Sequence, residues 1–185
     1  MVRRVSEESI ATNGVSAVTA WTVAFDLLRD SHKYWLATSD PDGRPHVVPV
    51  FAVWVDGCAH FTAGPASRKA RNLAHEPRCS LGTVVKKLDV VVEGDATRLE
   101  DEGALQRVAD AYVSTYGWPV TARNGRFDAD YGAPSAGPPP YDVYRLEPDV
   151  AYGFGTAAPF GATRWRFADD APRPARSRLR RHVTP

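Results

Sequence analysis

The sequence predicts a mainly β domain with a few helices packed around it, of the α+β class. Three observations point there. Short β-prone runs are joined by tight-turn signals, a single short helix falls between the third and fourth strands, and no Gly-x-Gly-x-x-Gly follows a strand. The last of these argues against a doubly wound dinucleotide fold. A length of 185 residues suits one domain, and 43% hydrophobic residues can fill its core.

Residues 1–16 are polar and are expected to be a flexible N-terminus. Over 18–30 the apolar positions Val18, Trp21, Val23, Phe25, Leu27 and Leu28 keep helical spacing. A first strand over 34–39 meets the turn Asp40-Pro41-Asp42-Gly43, and a long second strand covers 44–55. Asp56-Gly57 is a two-residue hairpin signal that leads into a third strand over 58–62. After the Gly64-Pro65 break a short helix opens at Ser67. Strands over 78–85 and 89–99 follow, turning at Lys86-Lys87; the second is too β-branched to prefer a helix.

Glu100-Asp101-Glu102 opens a helix over 101–115, where acidic residues suit the positive end of the helix dipole. From 117 to 140 the chain reads as a long surface loop, because its Gly- and Pro-rich end cannot form regular structure. Trp118, Phe127 and Tyr131 favour an ordered loop. Strands return over 141–146, 150–154 and 163–167. Beyond Ala168, five arginines lie among prolines and small residues, a composition expected to be a disordered basic tail over 169–185. The folded domain is therefore placed at 17–168.

The formal net charge of +1 gives no global pull toward nucleic acid or an anionic membrane. No apolar run reaches the roughly 18 residues of a membrane helix, and Arg3-Arg4 lack the apolar stretch of a secretory signal. Cys58 and Cys79 fit free, buried thiols of a reducing compartment, so a cytoplasmic protein is expected. The five histidines show no metal-binding spacing. Cys58 and His60 share a strand face, but two ligands do not make a site. A Gly-x-Ser-x-Gly elbow is absent, and Asp128 and Asp130 lack a partner motif. With no required nucleophile or base in the chain, chemistry carried by a cofactor fits best.

Ser67-Arg68-Lys69 is the strongest chemical signal. A hydroxyl, a forked guanidinium and a point charge meet at a helix start, as a phosphate monoester would require. The plain alternative is an N-cap serine followed by a solvated basic face. Asn72, one turn on, either assists the phosphate end or solvates the helix, whereas Arg71 reads as a surface charge. Pro49 fits a strand whose backbone serves a ligand, or an ordinary edge strand.

The order of these segments resembles the split-barrel family of flavin- and deazaflavin-binding oxidoreductases, the pyridoxamine 5′-phosphate oxidase-like proteins, over roughly residues 15–168. The resemblance rests on Thr38, Asp42-Gly43-Arg44-Pro45, Pro49-Val50-Phe51, Ser67-Arg68-Lys69-Ala70-Arg71-Asn72-Leu73, Pro77-Arg78, Val92-Glu93-Gly94-Asp95-Ala96 and Tyr116-Gly117-Trp118-Pro119. It implies an FMN-binding-like split β-barrel. Backbone groups of Val48, Pro49, Val50 and Phe51 would meet the heteroatom edge of a tricyclic ring. Thr62 would contact the ribityl chain, and Ser67, Arg68, Lys69 and Asn72 the phosphate.

Trp165 and Arg166 resemble the C-terminal strand that reaches the cofactor across a dimer interface; otherwise they are a core aromatic and a surface charge. The Ser-Arg-Lys-Ala-Arg-Asn-Leu layout is most similar to the actinobacterial branch using the deazaflavin F420, with FMN the alternative. The resemblance thus implies a homodimeric reductase that transfers hydride from F420 to an electrophilic C=C, C=N or quinone-like small molecule. An FMN-dependent oxidase, or a non-catalytic flavin or haem binder, are the alternatives. No metal is expected.

Overall fold

A ring of strands that fails to close organises the molecule, seen in a computed structural model that describes residues 5–133 and 136–168. In chain order the elements are β1 (Val5–Ser9), α1 (Trp21–Arg29), β2 (Tyr34–Ser39), β3 (Pro45–Val50), β4 (Ala52–Val55), β5 (Cys58–Ala63) and α2 (Arg68–His75). They continue with β6 (Arg78–Val85), β7 (Leu88–Arg98), α3 (Glu102–Tyr116), β8 (Thr121–Arg123), β9 (Arg126–Asp128), β10 (Asp142–Gly155) and β11 (Ala162–Phe167). The ring runs β3–β2–β6–β7–β10–β5–β4, each neighbour antiparallel to the next. β3 and β4 are consecutive in sequence, yet they pair on opposite sides of the gap, β3 with β2 and β4 with β5. The architecture is an α+β split barrel.

The gap has a local cause. The sequence predicts one strand over 44–55, but it breaks at Phe51, where α3 supplies the hydrogen bonds the sheet gives up. Tyr112 donates its hydroxyl to the Phe51 carbonyl at 2.8 Å. The Ala52 N–H donates to the Tyr116 hydroxyl at 3.0 Å, and that hydroxyl donates to the Ala52 carbonyl at 2.7 Å. Buried backbone groups need such partners, and Phe51 also stacks on Tyr116 at 4.5 Å between ring centroids. α3 is set by Asp101, which accepts the Ala104 N–H at 2.7 Å, and ends at Gly117 with φ of 64°.

Two apolar cores result. Inside the barrel, Leu36, Phe61, Leu81, Val92 and Leu146 pack together and are covered by Ala24 and Leu28 of α1. On its flank, Leu105, Val108 and Tyr112 of α3 pack on Val53, Phe127 and Tyr141.

Three other segments depart from the sequence-based expectation. The predicted strands over 141–146 and 150–154 are one continuous β10 with a bulge between Pro148 and Val150. Its first half pairs with β5, its second half with β11, and nearly its whole length with β7. Val5–Ser9, expected to be loose, forms a strand on β11, because Glu8 pairs with Arg164 and Arg166 there. Inside the predicted 117–140 loop, β8 and β9 make a small hairpin around Asn124-Gly125. The basic tail of 169–185 lies outside the described residues.

The bulge requires glycine opposite it. A Cβ on Gly94 would stand 1.9 Å from the Glu147 carbonyl oxygen, a backbone atom that cannot rotate away. Gly94→Ala is therefore expected to destabilise the domain by about 1–3 kcal/mol, read as a lower denaturant midpoint. An unchanged midpoint would show that β7 and β10 cross less tightly.

Candidate functional site

One free edge of the ring belongs to β3. Its register on β2 sets Pro45, Val47 and Pro49 on one backbone parity and His46, Val48 and Val50 on the other. A proline lacks an N–H, so 45 and 49 fit the positions whose backbone faces away from β2. The Val47 amide and the carbonyls of Pro45, Val47 and Pro49 thus line the gap. Of the residues expected there, Pro49 is placed on the edge. The backbones of Val48 and Val50 instead turn toward β2, and the Phe51 carbonyl is held by Tyr112. Val50 is buried in the core.

Across the gap, β4 ends its pairing at Ala52 opposite Phe61, so Thr62 lies past its reach and is half-buried. The chain then turns through Gly64, whose carbonyl accepts the Ser67 N–H at 2.9 Å, into α2. Ser67 is the N-cap, its Oγ accepting the Ala70 N–H at 3.3 Å. That bond uses a lone pair and leaves the hydroxyl proton free to donate. Both readings of Ser67 are therefore compatible.

The three polar side chains that follow have different surroundings. Arg68 reaches Asp40 at 3.3 Å. Asp40 also accepts the N–H groups of Arg44 at 2.8 Å and Asp42 at 3.1 Å. Those backbone donors, then Arg68, hold its carboxyl below the usual range. Lys69 is half-buried and forms no ion pair with the described residues, and burial lowers its pKa. Asn72, by contrast, is buried and donates to Thr38 Oγ1 at 2.9 Å, while Thr38 donates in turn to the His46 carbonyl at 3.5 Å. Asn72 therefore clamps α2 to the β2–β3 hairpin, a structural duty at the position expected to assist the phosphate end.

His46 is a member of this cluster that the sequence reading passed over. It shares the register position of Thr38 and the strand parity of Val48. Burial, then the charges of Arg68 and Lys69, lower its pKa. The Asp40–Gly43 turn already fixes the hairpin register, so this proximity was available once Asn72 was seen to reach Thr38.

Trp165 and Arg166 are elsewhere. Trp165 is 0% exposed. Its Nε1–H donates to the Thr19 carbonyl at 2.9 Å, and its ring lies where a Cβ on Gly153 would come within 2.3 Å. Arg166 pairs with Glu8 at 3.3 Å. Both sit on β11, separated from β3 by β10, β7, β6 and β2 in the sheet. Within one chain they do not reach the gap.

The donor set suits a phosphate: a hydroxyl with a free proton, a cation without a counter-ion among the described residues, a guanidinium held by one carboxylate, and an imidazole. Two hollows open along β2 and β6, one of them reaching Thr38 and Pro45. One of about 340 Å³ is floored by Ala37, Ser39 and Ser80, and another of about 420 Å³ is walled by Lys33, Trp35 and Val84. Among the described residues no group of three metal-ligating side chains forms. Among the same residues no helix is long and apolar enough to cross a membrane.

Residues 22–154 match the family described as pyridoxamine 5′-phosphate oxidase, and the chain belongs to that family. Its fold is similar to that of a conserved hypothetical protein from Mycobacterium tuberculosis (22% identity, 75% of this chain and 86% of that one, TM-score 0.60). It is also similar to a haem-binding protein from Mycobacterium smegmatis (20%, covering 80% and 59%, TM-score 0.58). A third similar structure is a pyridoxamine 5′-phosphate oxidase-related, FMN-binding protein from Nostoc punctiforme (17%, covering 83% and 94%, TM-score 0.56). At these identities the likeness is one of fold. No curated protein matches the chain by sequence.

The other chemically notable histidine is closed in. His60, 4% exposed, lies under α3 with its Nδ1 unpartnered. Burial, then Arg145, lowers its pKa from 6.5 to about 4. The unfolded chain binds its proton below about pH 6.5, whereas the folded protein resists it until about pH 4. Stability is thus lost as pH falls through that window, by on the order of 3 kcal/mol at pH 4. His60→Leu is expected to flatten that part of the stability–pH curve. An unchanged slope in denaturation at pH 4–6.5 would assign the loss to other groups.

Proposed function

We propose that this chain is a split-barrel reductase that holds the phosphate of a tricyclic cofactor at Ser67, Arg68 and Lys69. The observation that carries this is Lys69. A half-buried ammonium without a carboxylate partner among the described residues is costly unless an anion joins it. The β3 edge, with one amide and three carbonyls, suits the heteroatom rim of a flat ring. The family and the FMN-binding relative in Nostoc support a flavin-type ligand.

F420 is the preferred cofactor and FMN the alternative. Both present a ring, a ribityl chain and a phosphate, and F420 adds an acidic tail. Exposed Arg44 and Arg71 near the same end suit that tail. The bound cofactor supplies the hydride, and the chain supplies position, exclusion of water and a positive field. The acceptor is then an electrophilic C=C, C=N or quinone-like small molecule. A haem role is less well served: His60 is sealed beneath α3, and His46 stands among cations.

The gap is open on one side, and a second copy of the chain is proposed to close it. Trp35, Val47 and Val84 are 48%, 55% and 72% exposed on the outer face of adjoining strands, beside both hollows and the β3 edge. Trp35→Lys is expected to shift the protein toward monomer in sedimentation and to weaken cofactor binding. A wild-type monomer at micromolar concentration would refute the shared site.

Parallel titration of cofactor-free protein with F420 and FMN, followed by fluorescence, tests the assignment. Tighter F420 binding supports the deazaflavin reading, and tighter FMN binding moves the protein to the flavin branch. Lys69→Ala is expected to weaken binding by about 1.5–3 kcal/mol. Arg68→Ala is expected to cost less, because Arg68 already answers Asp40. Wild-type affinity in both variants would refute the phosphate site.

A further inference from the structure

The cationic cluster contains one group that changes charge near neutral pH. His46 sits at the base of the gap, opposite Thr38, and the Asn72–Thr38–His46 chain of hydrogen bonds ties its backbone to α2. The charges around its ring come from two elements. α2 contributes Arg68 and Lys69, and the turn before β3 contributes Asp40, which joins them through its ion pair with Arg68 and is already bound to two backbone amides. β2 contributes the neutral Thr38. The local balance is positive, so an empty site resists a further proton. A phosphate beside Lys69 reverses that field.

We propose that anion binding at this site is proton-linked through His46, so that loading a phosphate recruits a proton onto the imidazole and makes it a third cationic contact beside Arg68 and Lys69. The proposal rests on the phosphate site proposed above. It also makes His46 a specificity residue, since a ligand without the phosphate has nothing to recruit the proton for. The depressed imidazole pKa of the free protein, caused first by burial and then by Arg68 and Lys69, agrees with this. The sign follows. His46 is largely neutral in the free protein at pH 7 and becomes protonated in the complex, so affinity falls as pH rises through the pKa of the complex.

The phosphate of FMN titrates near pH 6 on its own account and favours binding as pH rises, which opposes this effect. Dividing wild-type affinity by that of His46→Gln removes the ligand's part. The experiment is a calorimetric titration with FMN and with riboflavin at several pH values, in two non-phosphate buffers of different ionisation heat. The wild type is expected to take up protons on binding FMN and none on binding riboflavin. The ratio of wild-type to His46→Gln affinity is expected to fall about threefold between pH 6.5 and 8. His46→Lys, permanently charged, is expected to bind FMN tightly with no such fall. Equal affinity for FMN and riboflavin would overturn the phosphate site and the linkage with it. A preference for FMN whose proton uptake persists in His46→Gln would overturn the linkage alone.

Discussion

A sheet that opens leaves backbone donors and acceptors without partners, and here the hydroxyls of Tyr112 and Tyr116 receive them. Phe51 and Ala52 make hydrogen bonds to α3 in place of a neighbouring strand. Net hydrogen-bond energies are modest, but an unsatisfied buried group costs about 1–3 kcal/mol. Without these hydroxyls the 44–55 segment would do better as one straight strand. The position of β3, its free edge and the gap beside it all depend on that exchange. The bulge in β10 is the counterpart on the other side of the ring, where one strand leaves β5 for β11 while still held by β7.

The site is assembled from segments that each have a structural duty as well. Ser67 caps α2, Arg68 ties the helix to the β2–β3 turn, and Asn72 reaches Thr38. Together these contacts fix the direction of the first helical turn, and with it the backbone position from which Lys69 projects.

Much of this was legible in the sequence. The Asp56-Gly57 hairpin, the helix opening at Ser67 and the two strands that follow it came from local chemistry: turn residues, a cap and a β-branched run. The break at Phe51 was not legible, because its cause is two tyrosines more than sixty residues away. The join of the two halves of β10 was hidden by Pro148, which reads locally as a stop and serves in three dimensions as a bulge. Val5–Ser9 lacks an apolar alternation, since its strand rests on charge pairs with β11. At the site, local chemistry found the cations and missed their sorting. Only the folded register shows that Asn72 turns inward, that Trp165 belongs to the core, and that His46 joins the cluster.

The two prolines of β3 bear on how such an open barrel avoids sticking to itself. An unpaired strand edge is a template for another strand, and a gap in a ring exposes one by construction. Pro45 and Pro49 remove two of the three amides along that edge and leave the Val47 N–H alone between them. An intruding strand needs a regular ladder of donors, whereas a small flat molecule needs only one donor and a few acceptors. The edge is thereby closed to peptide and left open to a ligand of the right width.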